Sequence, residues 1–312
     1  MNDIAIKTNQ LARTYKKSGG GTFCAVDGLD LEVYKGEVFA LLGVNGAGKT
    51  TTMKMLLGLT FPTSGTFNVL GGNISNRAIR GKIGYLPEES GIYPFLRVED
   101  VLRFYARLFG NTHEWRLSRL EAVLEFTGLI DKRHEPVKTL SKGLRQRVGI
   151  AQAMINDPEI LFLDEPASGL DPVGIKDLRR MMADLKAVGK TVFLNSHQLS
   201  EVELVADRIG MLREGKLLKV GKLTDLLSGE GCVIIRMSNI SDINARKLIE
   251  TKLSMPENTW DVIGSGKEAV VEIENDQFTD EIISLLMSNG AKMMSVNKVT
   301  KNLEDFFTEV MQ

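Results

Sequence analysis

The chain lacks most of what would mark an extracellular, membrane-spanning or nucleic-acid-binding protein. Its 312 residues include two cysteines, Cys24 and Cys232, far apart and in no paired spacing. That excludes a disulfide framework and a CxxC site, and it fits a reducing cytosol. Neither sign of charge dominates: 39 Lys and Arg stand against 40 Asp and Glu, for a net charge of -1. The basic excess that a nucleic-acid surface requires is missing, so nucleic acid is not expected as a partner. No apolar run approaches the roughly 20 residues needed to cross a bilayer. Near the N-terminus Asp3 and Lys7 interrupt any apolar stretch, so no signal peptide is expected. The expectation is a cytoplasmic chain that reaches a membrane only through a partner.

What is present is ordinary globular material, 43% hydrophobic, 25% charged and 6% aromatic, enough for one large or two ordinary domains. The longest apolar runs, 38–42 and 160–163, read as buried parallel strands. Residues Leu29, Leu31 and Val33 alternate with Asp30, Glu32 and Tyr34, the pattern of an antiparallel strand exposed on one face. The strand at 38–42 runs into a glycine loop and a helix starting near Gly48 and stopped by Gly58. Over 89–157 the period changes to three and four, as in Val98, Val101, Leu102, Tyr105 and Leu108, which predicts a helical insertion. The strand–helix rhythm then returns: strand 160–164, helix 174–188, strand 191–195, helix 198–206 and a hairpin 209–220 around Glu214-Gly215. Beyond residue 222 the order is strand 232–237, helix 241–252, strands 259–264 and 268–274 around Gly264-Ser265-Gly266, helix 276–288, strand 291–298 and helix 301–311. A β-α-β-β-α-β order predicts a small ferredoxin-like domain. Two domains are expected, 1–221 and 222–312, and the second carries no catalytic cluster.

Gly43-Val44-Asn45-Gly46-Ala47-Gly48-Lys49-Thr50, followed by Thr51, fits the phosphate-loop pattern GxxxxGK[ST]. Glycines let the backbone curl so that its N–H groups point at phosphate oxygens, and the helix N-terminus adds partial positive charge. In that pattern Lys49 reaches the β- and γ-phosphates and the Thr50 hydroxyl binds Mg²⁺. Strand 160–163 ends in Asp164-Glu165. Asp164 is placed to hold Mg²⁺ through water and Glu165 to polarise an attacking water. Buried strands often end in an acid, so this pair gains its meaning from the loop. Ser141-Lys142-Gly143 opens a helix. It is either a plain helix cap or a set of hydroxyl and N–H donors for an anion.

In this order the motifs resemble the ABC ATPase family over roughly residues 3–221. Tyr15 lies where the family's adenine-stacking aromatic would be. Tyr85-Leu86-Pro87-Glu88 resembles the Q-loop, Leu140 to Gln146 the ABC signature, Asp164-Glu165 the Walker B pair, Ser168-Gly169-Leu170-Asp171 the D-loop and Asn195-Ser196-His197 the strand of the switch histidine. Three positions depart from the pattern. Glu88 replaces glutamine, so it can still ligand Mg²⁺ but cannot donate a hydrogen bond. The signature reads LSKGL in place of LSGGQ, and Val44 replaces a proline. These variants, with the C-terminal Asn302-Leu303-Glu304-Asp305-Phe306-Phe307, are similar to the bacterial ABC-2 type exporter branch.

The resemblance implies an α/β fold with a P-loop NTPase core, an antiparallel β subdomain and a helical insertion. It implies ATP and Mg²⁺ as cofactors and a second ATPase subunit, in all expectation another copy, arranged head to tail. ATP held in one loop would be closed over by Ser141 and Gly143 of the other copy. Glu165 would polarise the water, His197 would sense the γ-phosphate, Glu88 would act beside the metal ligands Thr50 and Asp164, and Asp171 would couple the two sites. The motion would drive a polytopic permease docked near 88–100, which places the chain on the inner face of the cell membrane. A soluble ABC ATPase with a non-transport target is the alternative. The C-terminal domain is a dimer clamp, a ligand-sensing module or a passive contact surface.

Overall fold

A computed structural model describes residues 3–17, 19–89, 91–109, 112–227, 232–253, 260–265, 268–273, 278–299 and 302–311. The chain divides into two compact units, one running to Leu223 and one from Thr224 to Val310.

The first unit opens with three antiparallel strands, β1 (Ile4–Lys16), β2 (Thr22–Leu29) and β3 (Glu32–Tyr34), ordered β2-β1-β3. Then come β4 (Val38–Leu42), α1 (Lys49–Leu56) and β5 (Ser64–Val69), which also pairs with β1. α2 (Arg77–Arg80) and β6 (Ile83–Leu86) lead into the predicted insertion, made of α3 (Val98–Arg107), α4 (His113–Phe126) and α5 (Lys142–Met154). β7 (Ile160–Asp164), α6 (Pro172–Ala187), β8 (Thr191–Ser196), α7 (Leu199–Glu203), β9 (Arg208–Arg213) and β10 (Lys216–Lys222) follow, and α8 (Leu223–Leu227) falls at the division between the units. A six-stranded sheet runs β10-β9-β4-β8-β7-β6. From β9 to β6 its pairs are parallel, and the β9–β10 hairpin adds the antiparallel edge.

The apolar runs fold as the central strands because β4, β7 and β8 are buried on both faces. Cross-strand register sets Phe39 and Phe162 on either side of Phe193, with ring centroids 5.6 and 5.4 Å away. Each of these rings is fully buried, which stabilises by about 1.5–3 kcal/mol per side chain. Sheet order brings four C-terminal strand ends to one edge: β4 before Gly43, β6 before Pro87-Glu88, β7 ending in Asp164 and β8 before His197. Ligands of open α/β sheets bind outside such ends.

Two predicted elements differ from the observed ones. The alternating run 29–34 is two strands, because the Thr8 hydroxyl takes over the pairing at the kink. Thr8 Oγ1 donates to the Leu29 carbonyl at 2.7 Å and accepts from Leu31 N at 2.8 Å. The helix predicted over 198–206 is the single turn of α7, with two buried polar strand residues, Asn195 and Ser196, just ahead of it.

The second unit contains β11 (Cys232–Ser238), α9 (Asp242–Lys252), β12 (Trp260–Ser265), β13 (Glu268–Ile273), α10 (Thr279–Ser288), β14 (Lys292–Val299) and α11 (Leu303–Met311). Its antiparallel sheet is ordered β12-β13-β11-β14, the ferredoxin-like arrangement. Val233, Ile235, Met237, Val271 and Ile273 of the sheet pack with Ile249 and Ile282 of the helices. The turn at Gly266 and the element ends expected at Thr259, Glu274, Asp276 and Lys301 lie outside the described residues.

Candidate active site

The loop between β4 and α1 is shaped by two glycines that no other residue could replace in place. Gly48 has φ +109, and a Cβ on it would stand 2.3 Å from the Ala25 carbonyl oxygen. A Cβ on Gly43 would stand 2.4 Å from the Leu212 carbonyl oxygen. The loop is thus wedged between β2 and β9 with its backbone exposed toward a cavity of about 250 Å³. Val44, Asn45, Gly46, Ala47, Gly48, Lys49, Thr50 and Thr51 line that cavity together with Glu88, Glu165 and His197. Three motifs that lie far apart in sequence therefore meet the loop in one pocket. Gly43 is absent from the lining; it forms the back of the loop through its carbonyl.

Lys49 is buried, and its Nζ donates to the Gly43 carbonyl at 2.6 Å and lies 3.6 Å from Glu165 Oε1. Glu165 is 8% exposed and adopts φ +50, a left-handed conformation that costs a non-glycine residue about 1–3 kcal/mol. Its backbone is held there: Glu165 N donates to the Asn195 carbonyl at 3.0 Å, and its own carbonyl accepts from Ser168 N at 3.1 Å. The strained turn aims the carboxylate into the pocket. There Glu165 Oε2 accepts from His197 Nδ1 at 2.8 Å and from His197 N at 3.3 Å. A carboxylate only accepts, so Nδ1 carries the proton in this pair.

Asp164 is buried. Its Oδ1 accepts from Asn195 Nδ2 at 2.9 Å and from Thr50 Oγ1 at 3.4 Å. The hydroxyl of Thr50 and the carboxylate of Asp164 are the hard oxygen donors that Mg²⁺ takes; Thr50 and Glu88 line the cavity, and Asp164 lies buried behind Thr50. Among the described residues no group of three or more His, Cys, Asp or Glu side chains is placed to hold a metal. Burial, followed by the Asp164 charge, raises the Tyr85 hydroxyl above the ordinary tyrosine value.

The remaining sequence-predicted residues lie elsewhere. Tyr15 does not line the cavity. Arg13 covers its ring at 4.6 Å, and although burial would push its hydroxyl up, hydrogen bonds with Arg13, Thr60 and Thr51 bring it below the ordinary value. Phe23, opposite Tyr15 in the β1–β2 register, lines the pocket instead. Ser141 caps α5, its Oγ accepting from Leu144 N at 3.3 Å, and Asp171 caps α6, its Oδ1 accepting from Gly174 N at 2.8 Å. Neither they nor Gly143 lines the cavity of their own chain. Phe23 and Asn195 received no role from sequence. Cross-strand pairing with Tyr15 would have pointed to the first, and adjacency to His197 to the second.

A family model described as ABC transporter matches residues 26–168. An ABC transporter ATP-binding protein of a Nostoc species is 38% identical over 92% of this chain and 83% of its own length. The bacitracin transport ATP-binding protein BcrA of Enterococcus faecalis is 34% identical over 99% of this chain and 97% of its own. Among solved structures, an ATP-binding subunit of an ABC transporter is 30% identical with TM-score 0.63, covering 72% of this chain and 92% of the other. A dimeric ATP-binding cassette in a post-hydrolysis state with ADP and Pi is 25% identical with TM-score 0.63, covering 70% of this chain and 98% of the other. The chain belongs to the ABC transporter family, as an ATP-binding subunit that hydrolyses ATP. The relatives favour transport over the soluble alternative.

Proposed function

We propose that this chain powers an ABC-2 type exporter as one of two copies arranged head to tail, with residues 1–221 as the ATPase domain and 222–312 as an accessory domain. One observation carries this reading: the pocket gathers Lys49, Thr50, Glu88, Glu165 and His197 but none of Ser141, Gly143 and Asp171. The Ser141 hydroxyl and the Gly143 N–H lie at a helix start away from their own pocket, and the Asp171 carboxylate at another helix cap, so all three are free to meet another copy. The solved relative named as a dimer and the relatives named for bacitracin transport and linearmycin resistance support it.

In this reading Lys49 and the loop N–H groups hold the β- and γ-phosphates, and Phe23, which lines the pocket where Tyr15 does not, is the aromatic that meets the base. Mg²⁺ would be held by Thr50 and Asp164, with Glu88 beside them, and supplies charge neutralisation for the phosphates. Glu165 accepts a proton from water as its oxygen bonds to the γ-phosphorus, while the bond to the β-phosphate oxygen breaks and ADP leaves. His197 holds Glu165 in place and contacts the γ-phosphate. Ser141 and Gly143 of the second copy close the site and Asp171 links the two.

Among the described residues no helix is long and apolar enough to cross a membrane. A polytopic permease would hold the chain on the inner face of the cell membrane. The exposed Tyr93, Phe95, Phe104 and Leu108 offer it an apolar docking patch beside Glu88 in sequence. The test is an affinity pulldown from detergent-solubilised native membranes with Glu165→Gln and ATP-Mg²⁺. A polytopic membrane protein is the expected capture. Recovery of ribosomes or soluble proteins alone would move the chain to a non-transport role.

A further inference from the structure

The polar residue that touches the site most intimately without belonging to any of its motifs' assigned roles is Asn195. It lies on β8, paired in register with Asp164 on the neighbouring β7, and it is 0% exposed. Its Nδ2 donates to Asp164 Oδ1 at 2.9 Å and faces Met53 Sδ, a weak acceptor, at 3.8 Å. Among the described residues no hydrogen-bond donor reaches its buried Oδ1. The amide cannot be turned the other way, because its oxygen would then face a carboxylate oxygen and the donor would be lost. A buried orphan acceptor is costly, and a leucine of similar volume would avoid it. What the amide supplies, and a leucine would not, is an N–H aimed at Asp164.

That donor has a definite consequence. Both bonds into Asp164, from Asn195 Nδ2 and from Thr50 Oγ1, fall on Oδ1. They fix the rotation of the carboxylate, and among the described residues no hydrogen bond is made to Oδ2. Ligands of a metal are oriented by partners of this kind, and loss of such a partner weakens metal binding about 10–100-fold.

We propose that Asn195 is the positioning residue of the divalent-cation site: it locks the Asp164 carboxylate so that one oxygen is presented to the cation. This rests on the assignment of Thr50 and Asp164 to Mg²⁺ made above. Asn195 does not line the phosphate-loop cavity, so its removal is expected to weaken the cation and not the nucleotide.

The experiment measures Mn²⁺ affinity by electron paramagnetic resonance at saturating ADP, and ADP affinity separately in EDTA, for the full chain and for Asn195→Leu, Asn195→Thr and Asp164→Ala. Asn195→Leu is expected to weaken Mn²⁺ about tenfold or more with metal-free ADP affinity unchanged. Asn195→Thr, which keeps a hydroxyl donor on the same strand, is expected to recover part of that loss. Mn²⁺ affinity within about twofold of the parent in Asn195→Leu, where Asp164→Ala loses it, overturns the role of Asn195 alone. Unchanged Mn²⁺ affinity in Asp164→Ala overturns the cation assignment itself. If metal-free ADP binding falls in step with Mn²⁺, Asn195 is a packing residue and the proposal fails.

Discussion

Lys49, Glu165 and His197 form a chain of opposite charges and hydrogen bonds inside the pocket, with Lys49 also donating to its own loop carbonyl. In the proposed reading an incoming phosphate would compete with Glu165 for the lysine and leave the carboxylate to His197. Lys49→Ala is expected to weaken ATP binding about tenfold or more, since a charge-assisted contact is among the strongest a site makes; a fluorescent-nucleotide titration with unchanged affinity would reject the assignment. Glu165→Gln keeps the shape and loses the base. It should bind ATP normally and turn over roughly 10²–10⁴-fold more slowly, and single-turnover kinetics at the parent rate would place the base elsewhere. At this scale the stretches that carry Lys49, Thr50, Asp164 and Glu165 are legible, because a glycine loop between strand and helix and an acid pair closing an apolar strand are local patterns. Phe23 was not, because only the register of β1 on β2 sets it beside the loop.

Elements carry the site through close backbone approach and through the aromatic core. Gly48→Ala combines φ +109 with a contact 2.3 Å from the Ala25 carbonyl oxygen. We expect it to lower unfolding stability by about 2 kcal/mol or more in urea titration and to distort the phosphate cradle, so that nucleotide binding is lost as well. Phe193→Ala removes the ring between Phe39 and Phe162 and should cost about 3–5 kcal/mol. The turn from α5 into β7 is held by Asp157, at φ +54, with Lys190 at 2.9 Å and Arg119 at 3.4 Å. Burial pushes its carboxyl up, but the Lys190 hydrogen bond and the Arg119 and Lys190 charges pull it below the ordinary carboxylate value. A depressed pKa contributes stability above the unfolded value, near 3.9, and loses it as pH falls through the folded one. Asp157→Ala should therefore be less stable than the parent at pH 7, with a gap that narrows only below about pH 4; a gap independent of pH would assign the effect to the backbone turn. The main strands and helices could be read from period alone. The kink at Asp30 could not, because Thr8 makes it through bonds to residues 21 and 23 positions away.

The whole molecule places its capping donors outside its own pocket, and that arrangement has a measurable consequence. Glu165→Gln with ATP-Mg²⁺ should run at twice the monomer mass in light scattering and revert when ATP is removed. Adding Ser141→Ala should weaken that dimer; an ATP-independent mass would remove the head-to-tail arrangement. The loop, the acid pair and the family are set locally, because phosphate binding, strand burial and helix capping each draw on a few neighbouring residues. The order β4-β8-β7-β6, the pairing of Asp164 with Asn195 and the separation of Ser141 from the pocket are decided only in the folded chain. Parallel strands join through long crossovers, so their neighbours are chosen by packing across the whole sheet and not by any stretch of sequence that precedes them.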